Sequence, residues 1–204
     1  MDLSTEYMGL KLKHPIIASS SPLSNTLEGI KLLEDSGASA IVMFSLFEEQ
    51  IRRENEAFDF FLGSGTESFA ESLNYFPHME IGHKGPDDYL NLLRKAVETT
   101  DIPIIGSLNG VTNEGWIDYA KQIQDTGASA LELNIYFIPT DIDMLSSTVE
   151  QRYFDIVKPV KNAVSIPVAI KLSPFFSATG NMAKRLDEAG ADALVLFNLL
   201  STGY

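Results

Sequence analysis

The chain has 204 residues, of which 45% are hydrophobic and 21% charged; this suits one domain with a real buried core and is too apolar for a disordered chain. Its 28 acidic against 15 basic residues give a net charge of -13, which repels phosphate backbones and anionic lipid surfaces, so nucleic acid and membrane are not expected partners and a small-molecule substrate is. Cysteine is absent, which removes disulfides, thiolate nucleophiles and Cys-ligated metal sites; with no apolar run of roughly 18 residues and no signal-like start, a cytoplasmic protein is expected.

In chain order, short apolar segments rich in β-branched residues alternate with helical patterns. The first strand is expected over 15–20, opening on Pro15, and a helix over 27–35. A second strand follows over 37–44, opening on Gly37-Ala38. A polar and aromatic stretch then occupies about 48–90. The third strand starts at Pro103, a helix covers 116–123, and the fourth strand opens on Gly127-Ala128. The fifth strand starts at Pro167, a helix covers 182–188, and a sixth strand opens on Gly190-Ala191. Each Gly-Ala follows a helical pattern, where glycine in the left-handed conformation ends the helix and releases the chain into the next strand.

Pro103 to Pro167 is 64 positions and Gly127 to Gly190 is 63, against 88 from Pro15 to Pro103 and 90 from Gly37 to Gly127. A two-strand unit of about 64 residues thus repeats, with roughly 25 residues inserted after the second strand, a length more typical of functional loops than idle ones. Alternating strand and helix predicts an α/β chain of parallel strands. A nucleotide-binding open sheet would carry glycines after its first strand, and Ser19-Ser20-Ser21-Pro22-Leu23-Ser24 has none. The expected fold is therefore a (β/α)8 TIM barrel with about six of its eight units present, a single incomplete domain over 1–204 whose open edges could pair in a homodimer.

Chemistry in parallel α/β folds gathers where the strands finish. Polar residues stand at all six ends: Ser20 and Ser21, Ser45, Ser107 with Asn109, Asn134, Lys171 with Ser173, and Asn198. Lys171 is the distinctive one, because it lies within Val168-Ala169-Ile170-Lys171-Leu172, where an unpaired ammonium is costly to desolvate. Glu132, set in Leu131-Glu132-Leu133, is its available partner. The pair is open to a purely structural role, as in a non-catalytic relic, or to a functional one; a lysine there also suits Schiff-base chemistry in an aldolase-like barrel. His78 and His83 are five apart and do not share a helix face, and His14 merely precedes a strand. Asp141 and Asp143 read as capping residues, Gly63-Ser64-Gly65 lacks a preceding strand, and no metal site is expected.

Glu132-Leu133-Asn134 followed by Pro139, then Val168 to Pro174, then Leu194-Val195-Leu196-Phe197-Asn198, resembles the order of motifs in dihydroorotate dehydrogenases. The likeness covers nearly the whole chain and is strongest from about Pro103; it points to the soluble class, in particular to divergent bacterial members carrying Ser45-Leu46-Phe47-Glu48-Glu49-Gln50-Ile51. The resemblance implies an FMN-containing barrel that oxidises dihydroorotate to orotate, or a related substrate, in pyrimidine biosynthesis. By position it implies flavin contacts from Ser20, Ser21, Ser45, Asn109, Asn134 and Lys171, with Lys171 as the catalytic cation beside the ring. It implies substrate contacts from Ser72 and Asn74 in the long loop and from Asn134 and Asn198. Two positions depart from the family: Met43-Phe44 stands where it has a second lysine, and Phe137, next to Tyr136, where it has a cysteine or serine base. The flavin phosphate of such barrels rests on loops after strands seven and eight, so weak FMN binding or none is expected of these six units alone, which could be inactive by themselves.

Overall fold

The computed structural model describes residues 1–48, 86–110, 112–135, 137 and 139–197. The expected insertion at about 48–90 lies mostly outside them, as do Ser72, Asn74, His78, His83, Tyr136, Asn198 and the Gly63-Ser64-Gly65 turn.

Strands β3 (Ile41–Val42), β4 (Leu46–Phe47), β5 (Ile104–Asn109), β6 (Ala130–Asn134), β7 (Val168–Leu172) and β8 (Ala193–Leu196) form one sheet in which every pairing is parallel. The first expected strand narrows to a single parallel bridge, Ala18 to Ile41, flanked by bonds from Ala18 N to Ala40 O and from Val42 N to Ala18 O. The six expected segments thus lie side by side in chain order, as a barrel wall requires. Helices α1 (Leu27–Asp35), α2 (Pro86–Thr99), α3 (Asn113–Asp125), α4 (Ser146–Ala163) and α5 (Thr179–Glu188) connect them. Helix α2 starts inside the span expected for the insertion, because Pro86 at its first position and Asp87 and Asp88 in its first turn make a good helix start.

Gly37, Gly127 and Gly190 have φ of +94°, +87° and +97°, the left-handed turns expected at the helix-to-strand junctions. Period-two alternation sorts the strand side chains into two cores. Ile41, Ile104, Leu108, Leu131, Leu133, Ile170 and Leu172 pack outward against the helices with Tyr89, Ile123 and Val157. Val42, Ile105, Ala130 and Ala169 face inward with Met8 and Leu12. These last two belong to a hairpin that the sequence did not announce, β1 (Thr5–Tyr7) and β2 (Leu10–Leu12), whose apolar residues plug the barrel floor. Positive φ at Met8 and Gly9 gives its turn the twist that short hairpins favour.

The second wall strand is interrupted. Val42 pairs with Ile105 and Leu46 with Leu108, so Met43, Phe44 and Ser45 stand opposite only Gly106 and Ser107. One extra residue makes a β-bulge. Met43 and Phe44 consequently both pack toward the helix layer, Phe44 edge-on to Tyr89 at 5.0 Å between ring centres. The Tyr89 hydroxyl occupies the gap, accepting from Ser107 N at 3.0 Å and donating to Ser107 O at 3.1 Å.

Candidate active site

The bulge brings Ser45 round to the inside of the wall. Its Oγ lies 2.8 Å from Ser107 Oγ and 3.4 Å from Ser20 Oγ, so three neighbouring strand ends present a row of linked hydroxyls. Ser21 stands apart from this row: it begins a short 3-10 turn (Pro22–Ser24), and its carbonyl accepts from Ser24 N and Ser24 Oγ. Asn109 is half-buried at the end of β5, opposite Phe47.

Across the sheet, Ser107 is in register with Glu132, and Glu132 with Ala169; one layer higher Asn134 pairs with Lys171, and Lys171 with Val195. Lys171 therefore sits above Glu132 on the inner face. Its ammonium is 3.5 Å from Glu132 Oε1, with the two side chains 14% and 6% exposed. Burial pushes the Glu132 carboxyl above its ordinary range, and the Lys171 charge opposes that rise. Burial, and secondarily the Glu132 charge, raises the phenol of Tyr7 in the hairpin plug.

The remaining phenols near the site are structural. Burial holds Tyr89 far above the usual phenol range and pushes Tyr153 up to about 12; Tyr89 donates to the Ser107 carbonyl of β5 and Tyr153 to the Ile135 carbonyl just past β6 at 3.0 Å. Phe137 lies under the Arg152 guanidinium, 4.4 Å from its ring centre, and offers no proton acceptor. Asp141 closes a turn by accepting from Asp143 N rather than capping helix α4, whose N-cap is Leu145. Among the described residues no group of acidic or histidine side chains is arranged for a metal.

Glu48 has a role that sequence reading missed. Buried to 4% exposure at the end of β4, it accepts from Thr112 N at 3.0 Å and from Thr112 Oγ1 at 2.6 Å. Thr112 Oγ1 accepts from Gly115 N and caps α3. Glu48 thus clamps the loop that leaves Asn109, and a Cβ at position 115 would lie 2.3 Å from its carboxylate and push against the clamp. The signal was a carboxylate just past an apolar strand with a Thr-Asn-Glu-Gly helix start further on; nothing local joins the two.

A family model described as Dihydroorotate dehydrogenase matches residues 2–203. The chain belongs to the dihydroorotate dehydrogenase family. Similar curated proteins include the catalytic subunit of dihydroorotate dehydrogenase B (NAD(+)) of Malacoplasma penetrans, 31% identical over 94% of this chain and 60% of that protein. The Geobacillus kaustophilus protein of the same name is 29% identical over 97% of this chain and 61% of its own length. The chain therefore spans about three-fifths of the curated relatives it matches. Among solved structures, a phosphonopyruvate hydrolase complexed with oxalate and Mg++ has a TM-score of 0.55 at 17% identity, covering 89% of this chain and 57% of that one. Dihydrodipicolinate synthase from Aquifex aeolicus has 0.51 at 13%, covering 85% and 50%. At these identities the likeness speaks for the fold alone, a TIM-barrel wall. No described helix of this dihydroorotate dehydrogenase family member is long and apolar enough to cross a membrane.

Proposed function

We propose that the chain forms the greater part of the catalytic barrel of an FMN-dependent oxidoreductase acting on dihydroorotate or a closely related cyclic substrate in pyrimidine biosynthesis. The observation that carries this reading is the Lys171 ammonium, held on the inner face of the wall between Asn134 and Glu132. A cation fixed in a water-poor site stabilises developing negative charge far better than a mobile one in water.

The donor set fits a flavin. Hydroxyls of Ser20 and Ser45, the amides of Asn109 and Asn134, and Lys171 offer donors along one rim, with Ser21 beside it; the family's second lysine has no counterpart, because Met43 and Phe44 both pack outward. When bound, FMN would supply the hydride acceptor. Asn134 would orient a planar ring edge-on through its amide. Glu132 would hold the Lys171 ammonium in place from below. Substrate contacts from Ser72, Asn74 and Asn198 belong to the same proposal, as does a soluble, cytoplasmic location. Pairing of Lys171 with a carboxylate suits a fixed cation better than the free amine of a Schiff-base enzyme.

The test is anaerobic addition of dihydroorotate to the protein saturated with FMN. Bleaching of the oxidised flavin bands is expected, together with release of orotate. An FMN-loaded protein that keeps its colour with every cyclic dihydropyrimidine offered overturns the reading.

A further inference from the structure

We propose a second binding site, outside the barrel wall, for a small organic anion with a carboxylate or phosphate head and an apolar body. It is a cleft of about 750 Å³ between α3 and α4, lined by Asn113, Trp116, Phe137, Thr148 and Arg152 among others. The cation decides its chemistry. In a chain of net charge -13, Arg152 is half-buried, yet among the described residues it makes no ion pair and its one partner is the face of Phe137. Both carboxylates nearest along its helix are engaged elsewhere: Glu150 with Arg185 at 2.9 Å, and Asp155 with the Gln151 amide at 2.8 Å.

A guanidinium stacked on a ring keeps its in-plane N–H donors available, and the fork matches the paired oxygens of a carboxylate or phosphate. Ser147 and Thr148 add hydroxyls from the first turn of α4. Trp116, Met144 and Ile156 supply the apolar side of the cleft, which sets the need for a hydrophobic body behind the head group. Asp155 also lines the cleft, held by the Gln151 amide, and its carboxylate opposes an anion that the Arg152 cation has to outweigh. The cleft shares none of its lining with Lys171, Asn134, Ser20 or Ser45, and its occupancy does not depend on flavin.

Trp116 is the chain's single tryptophan and lies in the wall of the cleft, so its fluorescence reports binding directly. The probes are hexanoate, hexyl phosphate and uncharged hexanol. A saturable change is expected with at least one anion at a Kd of about 1 mM or tighter, and with hexanol at least about tenfold weaker. The stronger of the two anions identifies the head group. Arg152→Gln should weaken the anion about tenfold or more and leave hexanol unchanged; Arg152→Lys should recover part of the loss. Should Arg152→Gln fail to fold, Thr148→Val tests the same cleft and should weaken the anion about threefold or more. No saturable change with either anion, equal binding of hexanol, or a folded Arg152→Gln protein that binds as the wild type does would each overturn the site.

Discussion

Lys171 reaches its ammonium to 3.5 Å from Glu132 Oε1 although the two are not register partners: Lys171 stands opposite Asn134, and Glu132 opposite Ala169. The pair is diagonal, one layer apart on the inner face, so a carboxylate supports the cation from below and leaves its upper side open to the rim.

That arrangement makes the stability of the fold depend on pH. Burial raises the Glu132 carboxyl in the folded state, with Lys171 as the opposing influence. As pH climbs past the ordinary carboxyl range, the unfolded chain releases this proton first, so the stabilising contribution is complete at acid pH and is lost as pH rises through the folded value. Lys171→Met removes the opposing charge. It should therefore destabilise by up to about 3–5 kcal/mol at neutral pH and by distinctly less at mildly acidic pH, as the raised carboxyl takes up its proton. Urea unfolding at the two pH values measures this. The double variant Glu132→Gln/Lys171→Met should lie closer to wild type than Lys171→Met alone, and its extra pH slope should vanish.

At Gly106 strand β5 and helix α3 approach closely. A Cβ there would meet Ile123 Cγ2 at 2.4 Å, with Leu93 on the other side at 3.6 Å. Gly106→Ala should therefore cost about 1–3 kcal/mol by overpacking, seen as a lower Tm without loss of helical signal. Gly106→Ala/Ile123→Ala should give a smaller loss than the two single effects added, because the cavity of one accommodates the methyl of the other.

Much of this architecture was legible because it is local. Proline and Gly-Ala openings with a repeat of about 64 residues marked the parallel strands, and the left-handed glycines at 37, 127 and 190 ended the helices where expected. Lys171 and Glu132 stood out because charge inside an apolar run demands a partner. The hairpin plug escaped notice: Glu6-Tyr7-Met8-Gly9-Leu10 is short and polar on one side, and becomes core only by meeting Val42 and Ile105 from distant strands. Glu48 and Thr112 are likewise joined only by the fold. The bulge at Met43–Ser45 was invisible for the same reason, since an extra residue shows only against its partner strand.

The bulge also makes Tyr89 answerable for the hydroxyl row. Where the second wall strand swings away from β5, Ser107 loses its neighbour on that side, and the Tyr89 hydroxyl takes over both its N–H and its C=O. Tyr89→Phe leaves those two buried groups without partners and should cost about 2–4 kcal/mol, since each orphaned backbone group costs roughly 1–3 kcal/mol and the space of one lost hydroxyl leaves little room for water. Phe44 and the outer core keep their apolar contacts in that variant, so the far-UV signal should be unchanged while the denaturant midpoint falls. Amide exchange offers the sharper reading: protection at Ser107 and its neighbours in β5 should drop more than at β7. A uniform loss across the sheet would show instead that the phenol acts only through global stability and that the bulge closes without it.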